Sequence, residues 1–187
     1  GVLLFEKPSL RTKLSFVKAV NFNGINDIYF SPEEVGLGKR EKVSDVAKVI
    51  SKMSEVVILR TYKHSTIEEF SKNSSVPVIN ALSDREHPCQ ALCDLLTIRE
   101  KTGEDLKNIK ITFVGDGNNV ATSLAKAILT YGGTFIHSCP KGYEIPKEDL
   151  MAIDDLQKNK QFTIKCFNFE IFNFLLIFII WGFGVLG

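Results

Sequence analysis

Hydrophobic positions along this chain follow two patterns in turn: short unbroken apolar runs, and longer stretches with apolar residues three to four apart. Val2 to Phe5 is an unbroken run, which suits a strand buried on both faces. It leads through Pro8 and Ser9 into Leu10, Leu14 and Val17 at helical spacing, with Pro8 and Ser9 as openers and Ser9 able to cap free amides. Asp27 to Phe30 reads as a short strand, and Ser31 to Lys42 as a polar loop containing Gly36 and Gly38. From Val43, the positions Val46, Ala47, Ile50 and Met53 predict an amphipathic helix ending near Ser54. Val56 to Leu59 is a second buried-strand run, delivering Arg60 at its carboxyl end. Ser65 and Glu68 form a capping-box pattern for the next helix, and Val76 to Asn80 reads as the following strand. Pro88 opens a long helix through Leu92, Leu95 and Leu96 to Gly103. Two more strands, Ile109 to Val114 and Thr134 to Cys139, enclose a further helical stretch. This alternation predicts an α/β fold, a parallel sheet flanked by helices, with ligands collecting at the carboxyl ends of the strands.

Chemistry concentrates at those ends. Phe5 to Lys13 reads FEKPSLRTK, and gathers helix N-terminal amides, the Ser9 and Thr12 hydroxyls and the cations Arg11 and Lys13 in one place. That combination suits an anion, phosphate above all; an ordinary N-cap followed by a solvated basic turn would carry the same residues. Arg60 and the segment SDREHPCQ fall on the same edge, with His87 and Gln90 at another helix N-terminus. A histidine in that position serves either as a structural hydrogen bonder or in chemistry. Gly115 and Gly117 suggest a dinucleotide loop. Val120 stands where a third small residue is needed, however, and no acid ends the next strand, so no nicotinamide or flavin is expected. Asn118 and Asn119 suit a ligand carboxylate or amine, or simply a turn.

Lys plus Arg number 23 against 22 Asp plus Glu, without a long run of either sign, which removes the electrostatic footprint of a nucleic-acid binder. The four cysteines, Cys89, Cys93, Cys139 and Cys166, have no framework spacing and are expected as reduced thiols in a cytoplasmic compartment, with the mitochondrial matrix as the alternative. His87, Cys89 and Cys93 match no standard zinc spacing, and no metal is expected.

Four pieces, FEKPSLRTK, LRTYKHS, INALSDREHPCQALCDLLT and FVGDGNN, together resemble the ornithine carbamoyltransferases of the aspartate/ornithine carbamoyltransferase superfamily, in order and spacing from Val2 to Leu156. The resemblance implies that Ser9, Leu10 through its amide, Arg11 and Thr12 hold the phosphate of carbamoyl phosphate. Arg60 and His87 would join Thr12 around the carbamoyl oxygen as the catalytic set, and Gln90 would accept from the carbamoyl amine. Asn119, with Asn118, would orient L-ornithine. The implied activity is carbamoyl transfer to the ornithine side-chain amine, giving L-citrulline and phosphate in arginine biosynthesis, without a cofactor and in a homotrimer. Leu10, Lys13 and Gly36 depart from residues common in such proteins, Gly36 on a loop expected to reach a neighbouring subunit. Putrescine or an acylated ornithine is the alternative acceptor.

The resemblance divides the chain into a carbamoyl phosphate domain at 1–87, a linking helix at 88–103 and a partial ornithine domain at 104–166. From Cys166 the composition changes, half of the 14 phenylalanines lie from Phe162 onward, and no charge occurs from Ile171 to Gly187. Residues 167–187 are therefore expected as an apolar tail outside the family pattern, in a chain also expected to lack an N-terminal piece and to be impaired in turnover. A genuine tail would instead make the chain a membrane-tethered binding module: seventeen uncharged residues just reach the lower limit of a span, about 17–25, although no basic flank accompanies them.

Overall fold

The computed structural model describes residues 1–156 and 162–167, and the chain divides into two compact units, Gly1–Cys93 and Asp94–Gly187. The tail expected at 167–187 lies, beyond Phe167, outside the described residues. In the first unit, β1 (Val2–Phe5), α1 (Leu10–Phe22), β2 (Ile28–Phe30), α2 (Pro32–Val35), α3 (Val43–Ile50), β3 (Val57–Arg60), α4 (His64–Asn73) and β4 (Val78–Leu82) build a parallel sheet of order β2-β1-β3-β4. The continuous apolar runs are explained by two cores, one on each face. Val2, Leu4, Val57 and Leu59 pack with Ala47 of α3 and with Ile67 and Phe70 of α4. The alternate residues Leu3, Phe5 and Ile58 pack with Val20 of α1 and with Ala81. Both faces being covered, no polar alternation survives in β1 or β3.

Several elements differ from the sequence expectation, each for a local reason. Leu10 and Leu14, the expected apolar stripe of α1, are 82% and 65% exposed, and the helix instead buries Val20 with Phe16 and Val17 beside it. Ser9 occupies the N-cap position of α1 but makes no side-chain cap bond, because its hydroxyl is engaged elsewhere. The loop at 31–42 contains α2, closed by a reciprocal capping box between Ser31 and Glu34 and ended by Gly36 in the left-handed region at φ 49°, a conformation glycine adopts without steric cost. α3 stops at Ile50, not Ser54, because the Ser51 and Ser54 hydroxyls take the carbonyls of Ala47 and Ile50. α4 begins at His64, so the Ser65 and Glu68 capping box is not made; the Asp84 carboxylate accepts from the His64 amide at 2.7 Å instead.

α5 (Pro88–Thr102) runs across the division between the units. The second unit continues with a 3-10 turn at Leu106–Asn108, then β5 (Lys110–Val114), α6 (Asn119–Thr130), β6 (Thr134–Pro140), α7 (Lys147–Leu156) and β7 (Phe162–Phe167), in a parallel sheet of order β5-β6-β7. Its core centres on Phe135, Ile128, Ala125, Ile145 and Ile153. Phe135 stacks on Phe162, its direct register partner on β7, with ring centroids 6.0 Å apart. β7 was not singled out in the sequence, where FTIKCF borders the change of composition toward the apolar tail.

Candidate functional site

The carboxyl edge of the first sheet assembles most of the residues singled out in the sequence. After β1 the chain turns through Pro8 into α1, bringing Ser9 and Thr12 together: the Ser9 hydroxyl donates to Thr12 Oγ1 at 2.9 Å. Arg60 ends β3, where the pairing with β4 slips between Leu59 and Arg60, so that Leu59 faces Asn80 while Arg60 faces Leu82. The Arg60 guanidinium reaches across from there, Nη1 donating to the same Thr12 Oγ1 at 3.4 Å. Thr12 Oγ1 therefore accepts from both a hydroxyl and a cation, and its own proton remains as the donor.

Arg60 is buried at 8% exposure, and burial lowers its pKa. Its Nε, and Asn80 Oδ1 on the adjacent strand β4, are buried without hydrogen-bond partners among the described residues. Buried polar atoms are normally satisfied, so these two mark where a ligand or water would be accommodated. His87 directly precedes α5 and caps it through its carbonyl, which accepts from the Gln90 and Ala91 amides. Its imidazole is held below the usual histidine range, first by burial and then by the Arg60 charge, with a backbone hydrogen bond opposing. A neutral imidazole beside a guanidinium and a threonine hydroxyl is a set of donors suited to an oxygen that gains negative charge. Arg11 is exposed in the first turn of α1, Leu10 directs its side chain outward, and Gln90 lies in the first turn of α5.

Two supports were missed in the sequence because their partners are far apart along the chain. His64 Nδ1 lies 2.8 Å from the hydroxyl of fully buried Ser83, and Ser83 Oγ in turn accepts from the Glu86 amide at 3.1 Å. The start of α4 is thus pinned to the segment that ends in His87. Lys13 places its ammonium 3.4 Å from the centre of the Tyr29 ring, a cation–π contact that ties the basic turn to β2.

In the second unit, Asn118 is the N-cap of α6: its Oδ1 accepts from the Val120 and Ala121 amides at 3.0 and 3.1 Å. Asn119 is the first residue of α6 and is half-buried. The glycine pair has a packing explanation. A Cβ at Gly117 would lie 2.2 Å from the Ile145 nitrogen and 2.4 Å from the Glu144 carbonyl carbon, so glycine is needed for backbone to meet backbone, and its amide donates to Tyr143 at 2.7 Å. Beneath this loop His137, fully buried, contacts the Gly115 carbonyl through Nε2 at 2.9 Å. Among the described residues no group of three His, Cys, Asp or Glu is placed to hold a metal ion.

A parallel sheet with both faces covered, and hydroxyl, guanidinium and helix N-termini gathered at its carboxyl edge, defines an α/β protein whose first unit carries a candidate anion site. Residues 1–100 match the family model described as aspartate/ornithine carbamoyltransferase, carbamoyl-P binding domain, and residues 107–170 match its Asp/Orn binding domain. The chain belongs to the aspartate/ornithine carbamoyltransferase family. It is 49% identical over 144 residues to the ornithine carbamoyltransferase of Methanopyrus kandleri, which covers 77% of this chain and 46% of that protein. The solved ornithine carbamoyltransferase of Pyrococcus furiosus superposes with a TM-score of 0.83 at 36% identity, over 88% of this chain and 53% of that one. A mitochondrial ornithine carbamoyltransferase from Coccidioides immitis gives 0.78 at 36% identity, over 87% and 54%. The chain spans about half the length of the curated relatives it matches.

Proposed function

We propose that the first unit binds carbamoyl phosphate, and that the protein to which this chain corresponds transfers the carbamoyl group to the side-chain amine of L-ornithine, giving L-citrulline and phosphate. The observation that carries this is the convergence of Ser9 and Arg60 on Thr12 Oγ1, with neutral His87 beside Arg60. The α1 N-terminus receives no side-chain cap from Ser9, so a phosphate there would meet helix amides and the Arg11 cation. Thr12, Arg60 and His87 would face the carbamoyl oxygen, which becomes anionic when the amine attacks and the tetrahedral state forms. Collapse of that state expels phosphate, which leaves with the electron pair of the broken C–O bond, while the attacking nitrogen loses a proton. Asn119 would orient the ornithine from the second unit, in keeping with the family match there. A homotrimer, a role in arginine biosynthesis and a reducing compartment such as the cytoplasm belong to the same proposal.

The direct test is calorimetric titration of carbamoyl phosphate into the chain and into Arg11→Ala. Loss of a charged hydrogen bond at such a site costs about 1.5–3 kcal/mol, or roughly 10- to 150-fold in affinity. Equal affinity in the two proteins would remove Arg11 from the site and the anion assignment with it.

A further inference from the structure

The carboxyl edge of the second sheet holds a second cluster of reactive groups that carbamoyl transfer does not use. Cys139 on β6 and Cys166 on β7 are direct register partners. Neighbouring strands lie about 4.8 Å apart, inside the roughly 4.4–6.8 Å range of Cα separations that disulfides span. Paired residues of adjacent strands also project from the same face of the sheet. Cys166 Sγ donates to Glu144 Oε1 at 3.2 Å. Glu144 is itself fixed, its other oxygen accepting from the Gly142 amide at 2.9 Å. Cys166 is exposed and Cys139 fully buried, which separates an accessible sulfur from one held behind it.

We propose that Cys139 and Cys166 form a reversible cross-strand disulfide site, oxidised by a small-molecule disulfide and restrained by Glu144. Cys166 gives up its proton and its thiolate attacks one sulfur of glutathione disulfide; the S–S bond of the oxidant breaks and one glutathione thiolate leaves and is protonated. Cys139, after losing its proton, attacks Cys166 Sγ, and the mixed disulfide breaks to release the second glutathione. Two protein thiols are oxidised and one small disulfide is reduced to two thiols, so electrons and protons balance. Both cysteines are free thiols in the structure, and attack requires the thiolate. Burial pushes the Cys139 thiol up to about 12, and the hydrogen bond to Glu144 raises Cys166.

The experiment treats the full chain with glutathione disulfide, alkylates the remaining thiols, digests, and maps peptides by mass spectrometry. Cys89 and Cys93 on α5, four residues apart on one helix, serve as internal controls. The expected product is a cross-linked pair of peptides carrying Cys139 and Cys166, lighter by two hydrogens and lost on reduction. Glu144→Gln should form it severalfold faster, since the amide no longer holds Cys166 as the thiol, and Cys166→Ser should leave Cys139 unmodified. The proposal fails if Cys166 stops at the mixed disulfide, if Cys89 and Cys93 oxidise while this pair stays alkylatable, if Glu144→Gln is no faster, or if Cys139 reacts in Cys166→Ser.

Discussion

Thr12 takes two hydrogen bonds on one oxygen, from Ser9 and Arg60, and this single atom joins the residues of the proposed anion site. Thr12→Val keeps the shape and removes the acceptor, leaving buried Arg60 without it. Carbamoyl phosphate affinity should fall by roughly 10- to 150-fold, the equivalent of about 1.5–3 kcal/mol, and Thr12→Ser should restore most of it; calorimetry on both variants checks the pair. Gly117 is the counterpart in the second unit. Gly117→Ala drives a Cβ into the backbone of Glu144 and Ile145, and overpacking of that kind costs about 1–3 kcal/mol or more. Urea denaturation followed by Phe-rich core signals of the second unit would register the loss; an unchanged midpoint would mean that the loop relaxes freely.

The elements carrying histidines make stability depend on pH with a definite sign. His87, at the start of α5, and His137, on β6, both have pKa values lowered, in each case first by burial. Their unfolded counterparts titrate near about 6.5. Between that value and the lower folded values the unfolded chain binds more protons, so stability rises with pH there. The contribution is complete above about 6.5 and is lost as pH falls through the folded pKa values. Denaturation midpoints measured from neutral to mildly acidic pH should therefore fall, and His87→Gln and His137→Gln should each flatten the slope. Parallel curves for wild type and both variants would contradict the assignment. His64, joined to Ser83, belongs to this scale as well, since it fastens α4 to the segment that presents His87.

For the whole molecule, the family match with about half the length of its relatives sets the expectation for turnover. A chain ending at Phe167 keeps β7 intact, because Phe167 still pairs with Pro140, and should be more soluble than the full chain, whose remaining residues are predominantly apolar. Its citrulline production should fall far below that of an intact relative at equal concentration, because orientation of the attacking amine accounts for about 7–11 kcal/mol of such a barrier. Turnover within about tenfold, or about 1.4 kcal/mol, would show that these residues suffice. What the sequence determined by itself was local: the β1 and β3 runs and the helix opening at Pro88, carried by contiguous stretches with their own periodicity, while Ser9, Arg11, Thr12, Arg60, His87 and Gln90 came from it as candidates. Tertiary structure decided what depends on distant partners. It turned Leu10 and Leu14 outward, joined Ser9 and Arg60 at Thr12, bound His64 to Ser83, assigned Gly117 to packing and made Phe162–Phe167 a strand. Each of these follows from contacts between residues far apart in the chain, which neither periodicity nor composition encodes.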